Sequence, residues 1–106
     1  MINIDIKSSG LDLTDSLKQY IDVRMNSLER SLRRYNPENL RIEFEVARTT
    51  KHHRHGDVFY AEANLILPGK MLRATHKASD IRVAVDKIKD ILQREIEKYK
   101  EQQEQH

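Results

Sequence analysis

Cysteine and tryptophan are absent from the 106 residues, and only three glycines and two prolines are present. Without cysteine, disulfide frameworks, thiolate zinc sites and cysteine nucleophiles are all excluded. Three scattered glycines form no phosphate-binding loop. No apolar run approaches the roughly 20 residues that span a bilayer, and the N-terminus lacks the pattern of a signal peptide. We therefore expect a soluble cytoplasmic protein with no membrane partner.

Neither sign of charge is in large excess. The chain has 19 Lys and Arg and 17 Asp and Glu, which gives a formal net charge of +2. A uniformly basic nucleic-acid-binding protein is excluded, so the positions of the charges must decide between functions. The length allows a single domain. We expect this domain to occupy residues 1–100, followed by a solvated C-terminal tail over 101–106.

Apolar periodicity predicts six secondary-structure elements. Alternation of apolar and polar residues predicts strands over residues 2–7, 40–46, 59–67 and 71–77. Apolar spacings of three, four and seven predict amphipathic helices over 15–35 and from Asp80 to about Tyr99, with Thr14 and Ser79 as N-caps. The order βαβββα predicts an α+β fold, in which two amphipathic helices pack on one face of a four-stranded sheet whose last three strands form an antiparallel meander.

The second predicted helix carries basic residues on both sides of its apolar face. One flank contains Lys87, Arg94 and Lys98, and the other contains Arg82, Lys89 and Lys100. The acids Asp86, Asp90 and Glu97 are predicted on the back of the helix. An ordinary solvated helix face would also explain such charges.

Arg24 interrupts the apolar stripe of the first predicted helix, at a position where Leu or Ile is expected. Three interpretations stay open at this point. The aliphatic part of the side chain could lie along the apolar surface so that the guanidinium reaches water at the helix edge. The guanidinium could instead pair with an acid or contact a ligand.

A basic segment separates the second and third predicted strands. Residues 48–55 read RTTKHHRH, in which Arg48, Lys51 and Arg54 are fully charged and no acid occurs. A meander needs only a short turn, and a longer loop costs conformational entropy, which favours a binding role for this segment. The histidines have no nearby carboxylate or cysteine to complete a ligand set, so we predict no metal site.

Together these basic residues predict contacts with backbone phosphates of RNA. Aromatic residues make up only 6% of the chain, which favours reading the shape of folded RNA over stacking on single strands. No catalytic constellation is found, so we predict neither an enzyme nor a cofactor or small-molecule substrate. Two alternatives remain: a shape-reading double-stranded RNA-binding module, and a charged module that binds an acidic protein.

Four stretches of the sequence resemble one known family in order and spacing. They are residues 13–21 (LTDSLKQYI) with Arg24 and Leu28-Glu29, residues 56–62 (GDVFYAE), residues 68–74 (PGKMLRA), and residues 80–86 (DIRVAVD) followed by 92–96 (LQREI) with Lys98 and Lys100. They are similar to motifs of the ribosome hibernation-promoting factors, also called ribosome-associated inhibitors, in their short form. Nearly the whole chain is covered.

The resemblance implies a domain that binds the small ribosomal subunit and its rRNA in the channel used by tRNA and mRNA, and that blocks translation by occupancy. In this family the rRNA contacts come largely from basic helix residues. The matching positions here are Arg24, Lys87, Arg94, Lys98 and Lys100. From the basic flank and loop described above we add Arg82, Lys89, Arg48, Lys51 and Arg54 as predicted RNA-binding residues.

Two positions depart from the family pattern. Arg82 stands where tyrosine is usual, and Ile91 stands where a lysine is common. The sequence also ends soon after the second helix, without the added C-terminal domain with which long forms pair ribosomes. The resemblance therefore implies either inactivation of single ribosomes or ribosome dimerisation that depends on an accessory factor.

Overall fold

The computed structural model describes residues 1–49 and 58–104. The elements along the chain are β1 (Asn3–Ser9), α1 (Asp15–Asn26), a 3-10 segment (Ser27–Leu32), a 3-10 turn (Pro37–Asn39), β2 (Arg41–Arg48), β3 (Phe59–Leu67), β4 (Lys70–Ala78) and α2 (Ile81–Glu104). This arrangement confirms the predicted α+β class and the order βαβββα.

The four strands form one sheet in the order β1-β2-β3-β4. β1 pairs with β2 in parallel, with Ile4 opposite Ile42, whereas the β2–β3 and β3–β4 pairs are antiparallel. A parallel pair requires a long crossover connection, and α1 with its 3-10 segment supplies it. Pro68 and Gly69 join β3 to β4 in a tight turn, as predicted, and Gly69 has a φ of +77°.

The hydrophobic core lies between the helices and one face of the sheet. α2 packs on β3 and β4, while α1 lies beside α2 and contacts β1. Every second residue of β2 and β3 is buried, and Phe44 is only 2% exposed in the centre of the sheet. From the helices, Ile21, Met25, Ile88 and Leu92 are fully buried. Both helices therefore cover the same sheet face, as the amphipathic patterns predict.

The first helix ends earlier than predicted. The α-helix stops at Asn26 and tightens into the 3-10 segment, so the prediction of one helix over 15–35 is wrong. Polar side chains at the junction bond to the backbone: Asn26 Nδ2 donates to the carbonyl of Asp22 at 2.9 Å, and Ser27 Oγ donates to that of Arg24 at 2.5 Å. Such bonds compete with the regular helical pattern. Leu28 nevertheless stays buried, because the 3-10 turn keeps it on the core side.

The second helix differs from prediction at both ends. Its N-cap is Asp80, whose Oδ1 accepts a hydrogen bond of 2.8 Å from the backbone N–H of Arg82, so the predicted cap at Ser79 is wrong by one residue. α2 continues past the predicted end at Tyr99 to Glu104, and residues 101–104 are helical and exposed. The division of the chain into a domain over 1–100 and a tail over 101–106 stays a prediction.

Candidate nucleic-acid interface

The sheet face turned away from the helices has two arginines that are paired with acids. Arg41 lies 2.9 Å from Asp5 across the β1–β2 pair, and Arg73 lies 2.8 Å from Glu62 across the β3–β4 pair. Glu43 approaches the same Arg41 at 3.5 Å. Carboxylates therefore already neutralise Arg41 and Arg73, and the unpaired cations of this face are lysines such as Lys7 and Lys77.

The outer flank of α2 has a different character. Lys87 and Arg94 are exposed and form no ion pair among the residues that the structure describes. Lys98, which is 69% exposed, lies 3.7 Å from Glu95 of its own helix. We call Lys87, Arg94 and Lys98 the basic flank. Since long cationic side chains in water are free to meet phosphate, the predicted grouping of these three residues is the part of the charge pattern best suited to RNA.

The opposite side of α2 faces α1 and its 3-10 segment. Arg82 Nη2 donates to Ser16 Oγ at 3.0 Å, and Gln93 Nε2 donates to Ser31 Oγ at 2.5 Å. The basic flank lies across the helix from these contacts, and it is therefore directed away from α1.

Between the two helices, Tyr20, Arg24, Arg82 and Asp86 form a compact group that we call the Tyr20 cluster. Tyr20 donates its hydroxyl to Asp86 Oδ1 at 2.6 Å, and Arg24 Nε lies 2.9 Å from the same oxygen. Arg24 Nη2 also donates to the Tyr20 hydroxyl oxygen at 3.2 Å. The guanidinium carbons of Arg24 and Arg82 lie 5.1 and 4.9 Å from the centre of the Tyr20 ring, within the range of cation–π attraction.

This cluster confirms one interpretation of Arg24, its pairing with an acid, and leaves its contact with a ligand as a prediction. Its side chain is 47% exposed and is paired with Asp86, so it lies at the edge of the buried stripe and not inside it. The hydrogen bond that Arg24 donates to the Tyr20 hydroxyl and then the charge of Asp86 raise the pKa of Arg24 above its ordinary value. The prediction that Asp86 lies on the back of the second helix is wrong, because its carboxylate points to α1.

The remaining predicted site residues are partly engaged or lie apart. Lys89 is half-buried in the groove between α2 and the 3-10 segment. Lys100 is 26% exposed and lies 3.8 Å from Glu97. Arg48 lies at the end of β2, with its guanidinium carbon 5.8 Å from the Phe59 ring. Lys51 and Arg54, with most of the basic loop, lie outside the described residues.

Sequence reasoning missed Tyr20 and Asp86 as members of the candidate site. The spacing of Tyr20 and Arg24 at i, i+4 was a signal that their side chains are neighbours. Their link to Asp86 depends on how α1 packs beside α2, which a single helical wheel does not show. Over residues 1–49 and 58–104, no group of three acidic or histidine side chains is arranged to hold a metal ion. In the same ranges, no helix is long and apolar enough to cross a membrane.

A family model described as "Sigma 54 modulation protein / S30EA ribosomal protein" matches residues 4–104. The chain belongs to this family. The match covers every strand and helix of the fold except the first residue of β1, so the S30EA architecture accounts for the whole described domain.

Two relatives of this S30EA chain are hibernation factors. The ribosome hibernation promotion factor of Deinococcus radiodurans is 24% identical over 95 residues, which cover 90% of this chain and 47% of that protein. The ribosome hibernation promoting factor of Klebsiella oxytoca is 24% identical over 105 residues, which cover 99% of this chain and 100% of that protein. The chain thus spans about half the length of the first relative and the full length of the second.

Solved structures share the S30EA fold. The N-terminal domain of Thermus thermophilus Protein Y superimposes with a TM-score of 0.73 at 22% identity, covering 92% of this chain and 99% of that one. A ribosomal subunit interface protein from Coxiella burnetii gives a TM-score of 0.65 at 22% identity, covering 93% and 98%. Together with the family match, these findings confirm the resemblance noted in the sequence. The roles of individual basic residues stay predictions.

Proposed function

We propose that this S30EA-family chain binds the small ribosomal subunit in the tRNA and mRNA decoding channel and inhibits translation by occlusion. The observation that carries the proposal is the basic flank of α2, where Lys87 and Arg94 are exposed and have no ionic partner among the described residues. Family membership points to ribosomes as the target of this flank. Action on ribosomes implies a cytoplasmic protein, and occlusion needs neither a chemical step nor a cofactor.

Charge distribution supports one-sided binding. A chain with a net charge of +2 binds RNA only where its cations are not already neutralised. The open sheet face pairs Arg41 and Arg73 with acids. On the basic flank, Lys87 and Arg94 form no ion pair among the described residues. Phosphates that contact the flank release their counterions, which gives an affinity that falls steeply with salt. The acids on the other surface disfavour random nucleic acid.

Burial of the aromatic side chains supports recognition of RNA shape. The chain has four tyrosines and two phenylalanines, and all of them are buried or half-buried. Tyr20 already has two guanidinium groups near its ring. Few rings and their partial burial favour rRNA phosphates, held in a fixed arrangement by the folded subunit, over stacked unpaired bases as the groups that the chain recognises.

Comparing the affinity for vacant small ribosomal subunits with that for plain duplex RNA tests the proposal. We expect the subunits to bind at least about tenfold more tightly at equal salt, because only they present the matching phosphate arrangement. Titration of fluorescently labelled protein with each ligand gives the two dissociation constants. A preference for duplex RNA would instead assign the chain to the double-stranded RNA-binding modules. Capture of ribosomal components that survives nuclease treatment would point to a protein-interaction module.

A further inference from the structure

The Tyr20 cluster contains an arginine that is held in place yet remains accessible. Arg24 is bound to Asp86 through Nε and to Tyr20 through Nη2. Its Nη1 has no hydrogen-bond partner among the described residues, and the side chains of Arg24 and Asp86 are 47% and 43% exposed. One edge of the guanidinium is therefore oriented by the protein, while the other can still reach a phosphate oxygen.

We propose that Asp86 is a specificity-determining residue, which acts through Arg24 to favour the fixed phosphates of folded rRNA over those of flexible RNA. This inference rests on the proposed function and deepens it. Asp86 is a positioning residue in this scheme, and the phosphodiester group is bound by Arg24.

Two physical effects of Asp86 act in the same direction. Holding a long side chain in one place before binding removes the cost of ordering it, and this benefits a ligand whose phosphate lies at the matching position. The carboxylate also repels phosphates that approach Arg24 from other directions. A flexible RNA gains little from a fixed arginine and still meets the repulsion. The expected result is a higher ratio of specific to unspecific affinity.

Arg82 and Ser16 hold the Tyr20 ring in place within this arrangement. Arg82 Nη2 donates to Ser16 Oγ at 3.0 Å while its guanidinium carbon lies 4.9 Å from the centre of the Tyr20 ring. The ring is thereby held so that its hydroxyl reaches Asp86 at 2.6 Å. Arg82 stands where the family pattern has tyrosine, so this chain stabilises the position of Tyr20 with a cation.

The test measures the ratio of affinities for vacant small subunits and for an oligouridylate probe. We expect Asp86→Asn to lower this ratio by about threefold or more, because a neutral amide holds Arg24 less firmly and the repulsion is lost. Asp90→Asn is the matched control: it removes the same charge from the same helix, and Asp90 is exposed with no ion pair in the described part of the chain. It should change both affinities by a similar factor and leave the ratio unaltered.

A double-mutant cycle with Arg24→Gln separates positioning from simple charge. In the Arg24→Gln background, Asp86→Asn should change the ratio much less, because the group that Asp86 positions is gone and only its repulsion of phosphates remains. An Asp86→Asn effect of the same size in both backgrounds, or one that matches Asp90→Asn, would overturn the inference.

Tyr20→Phe provides a second variant in case Asp86→Asn fails to fold. It removes both hydroxyl bonds but keeps the ring beside Arg82, and it should lower the ratio in the same direction. An unchanged ratio in a folded Tyr20→Phe protein, judged by its thermal unfolding, would contradict the inference. Wild-type protein that does not bind small subunits would overturn the proposed function as well, whereas wild-type binding with an unchanged Asp86→Asn ratio would overturn the inference alone.

Discussion

Replacing Lys87 and Arg94 together with glutamate is expected to weaken binding to small ribosomal subunits by about a hundredfold or more at moderate salt. Each substitution removes one phosphate contact and adds a repulsive charge in its place. Neither residue has an ionic partner in the described structure, so the substitutions break no visible contact and the fold should survive. Adding Lys98→Glu should have a smaller further effect, since Lys98 already lies 3.7 Å from Glu95.

Cosedimentation with small subunits over a range of salt concentrations measures this loss. The slope of log affinity against log salt should also decrease, by about one for each lost phosphate contact. The control reverses two exposed lysines of the open sheet face, Lys7→Glu and Lys77→Glu, which changes the net charge by the same amount. An equal loss in both double variants would show that total charge, and not the basic flank, governs binding.

Replacing Phe44 with alanine is expected to lower the free energy of unfolding by about 3–5 kcal/mol. Phe44 is 2% exposed in the central strand β2, between Ala63 of β3 and Ile6 of β1, and its side chain lies beneath the helices. Its removal leaves a cavity that the rigid sheet cannot close. Because a small domain has a total stability of only about 5–15 kcal/mol, this loss brings the variant close to unfolding.

Urea unfolding, monitored by circular dichroism, gives the free energy of unfolding of the wild-type protein and of Phe44→Ala. Val23→Ala serves as the control, since Val23 is 63% exposed on α1 and its truncation should change stability by no more than about 0.5 kcal/mol. A similar small change for Phe44→Ala would contradict the description of one core between the helices and the sheet.

Strand patterns were predictable because burial on one face imposes a period of two. The buried positions of β2 and β3, including Phe44 and Leu65, follow this alternation without interruption. Register follows from the same pattern, since a slip by one residue would expose every buried side chain. The number of strands, their class and the face that carries the core could therefore be read from the chain.

Helix ends were less predictable, because short-range hydrogen bonds decide them. Asn26 and Ser27 bond to backbone carbonyls and end α1 while the apolar spacing continues to Leu32. At the start of α2, Ser79 and Asp80 are both favourable cap residues, and only the geometry shows that Asp80 is used. Periodicity locates the buried side of a helix better than its limits.

The candidate site was predictable as a set of charges but not as a set of contacts. The grouping of Lys87, Arg94 and Lys98 follows from helix geometry alone. The pairing of Arg24 with Asp86 is long-range in sequence and depends on the packing of α1 against α2. A helical wheel of α2 alone predicts that Asp86 faces solvent. In the structure α1 packs beside α2, and Asp86 pairs with Arg24.

Competition with tRNA for small subunits programmed with mRNA tests the central claim most directly, since occlusion requires that both ligands cannot be bound together. Increasing concentrations of the protein should displace labelled tRNA completely, and excess tRNA should displace the protein. The Lys87→Glu, Arg94→Glu variant should displace tRNA only at much higher concentration. A ternary complex, in which saturating protein leaves the amount of bound tRNA unchanged, would contradict inhibition by occupancy of the decoding channel.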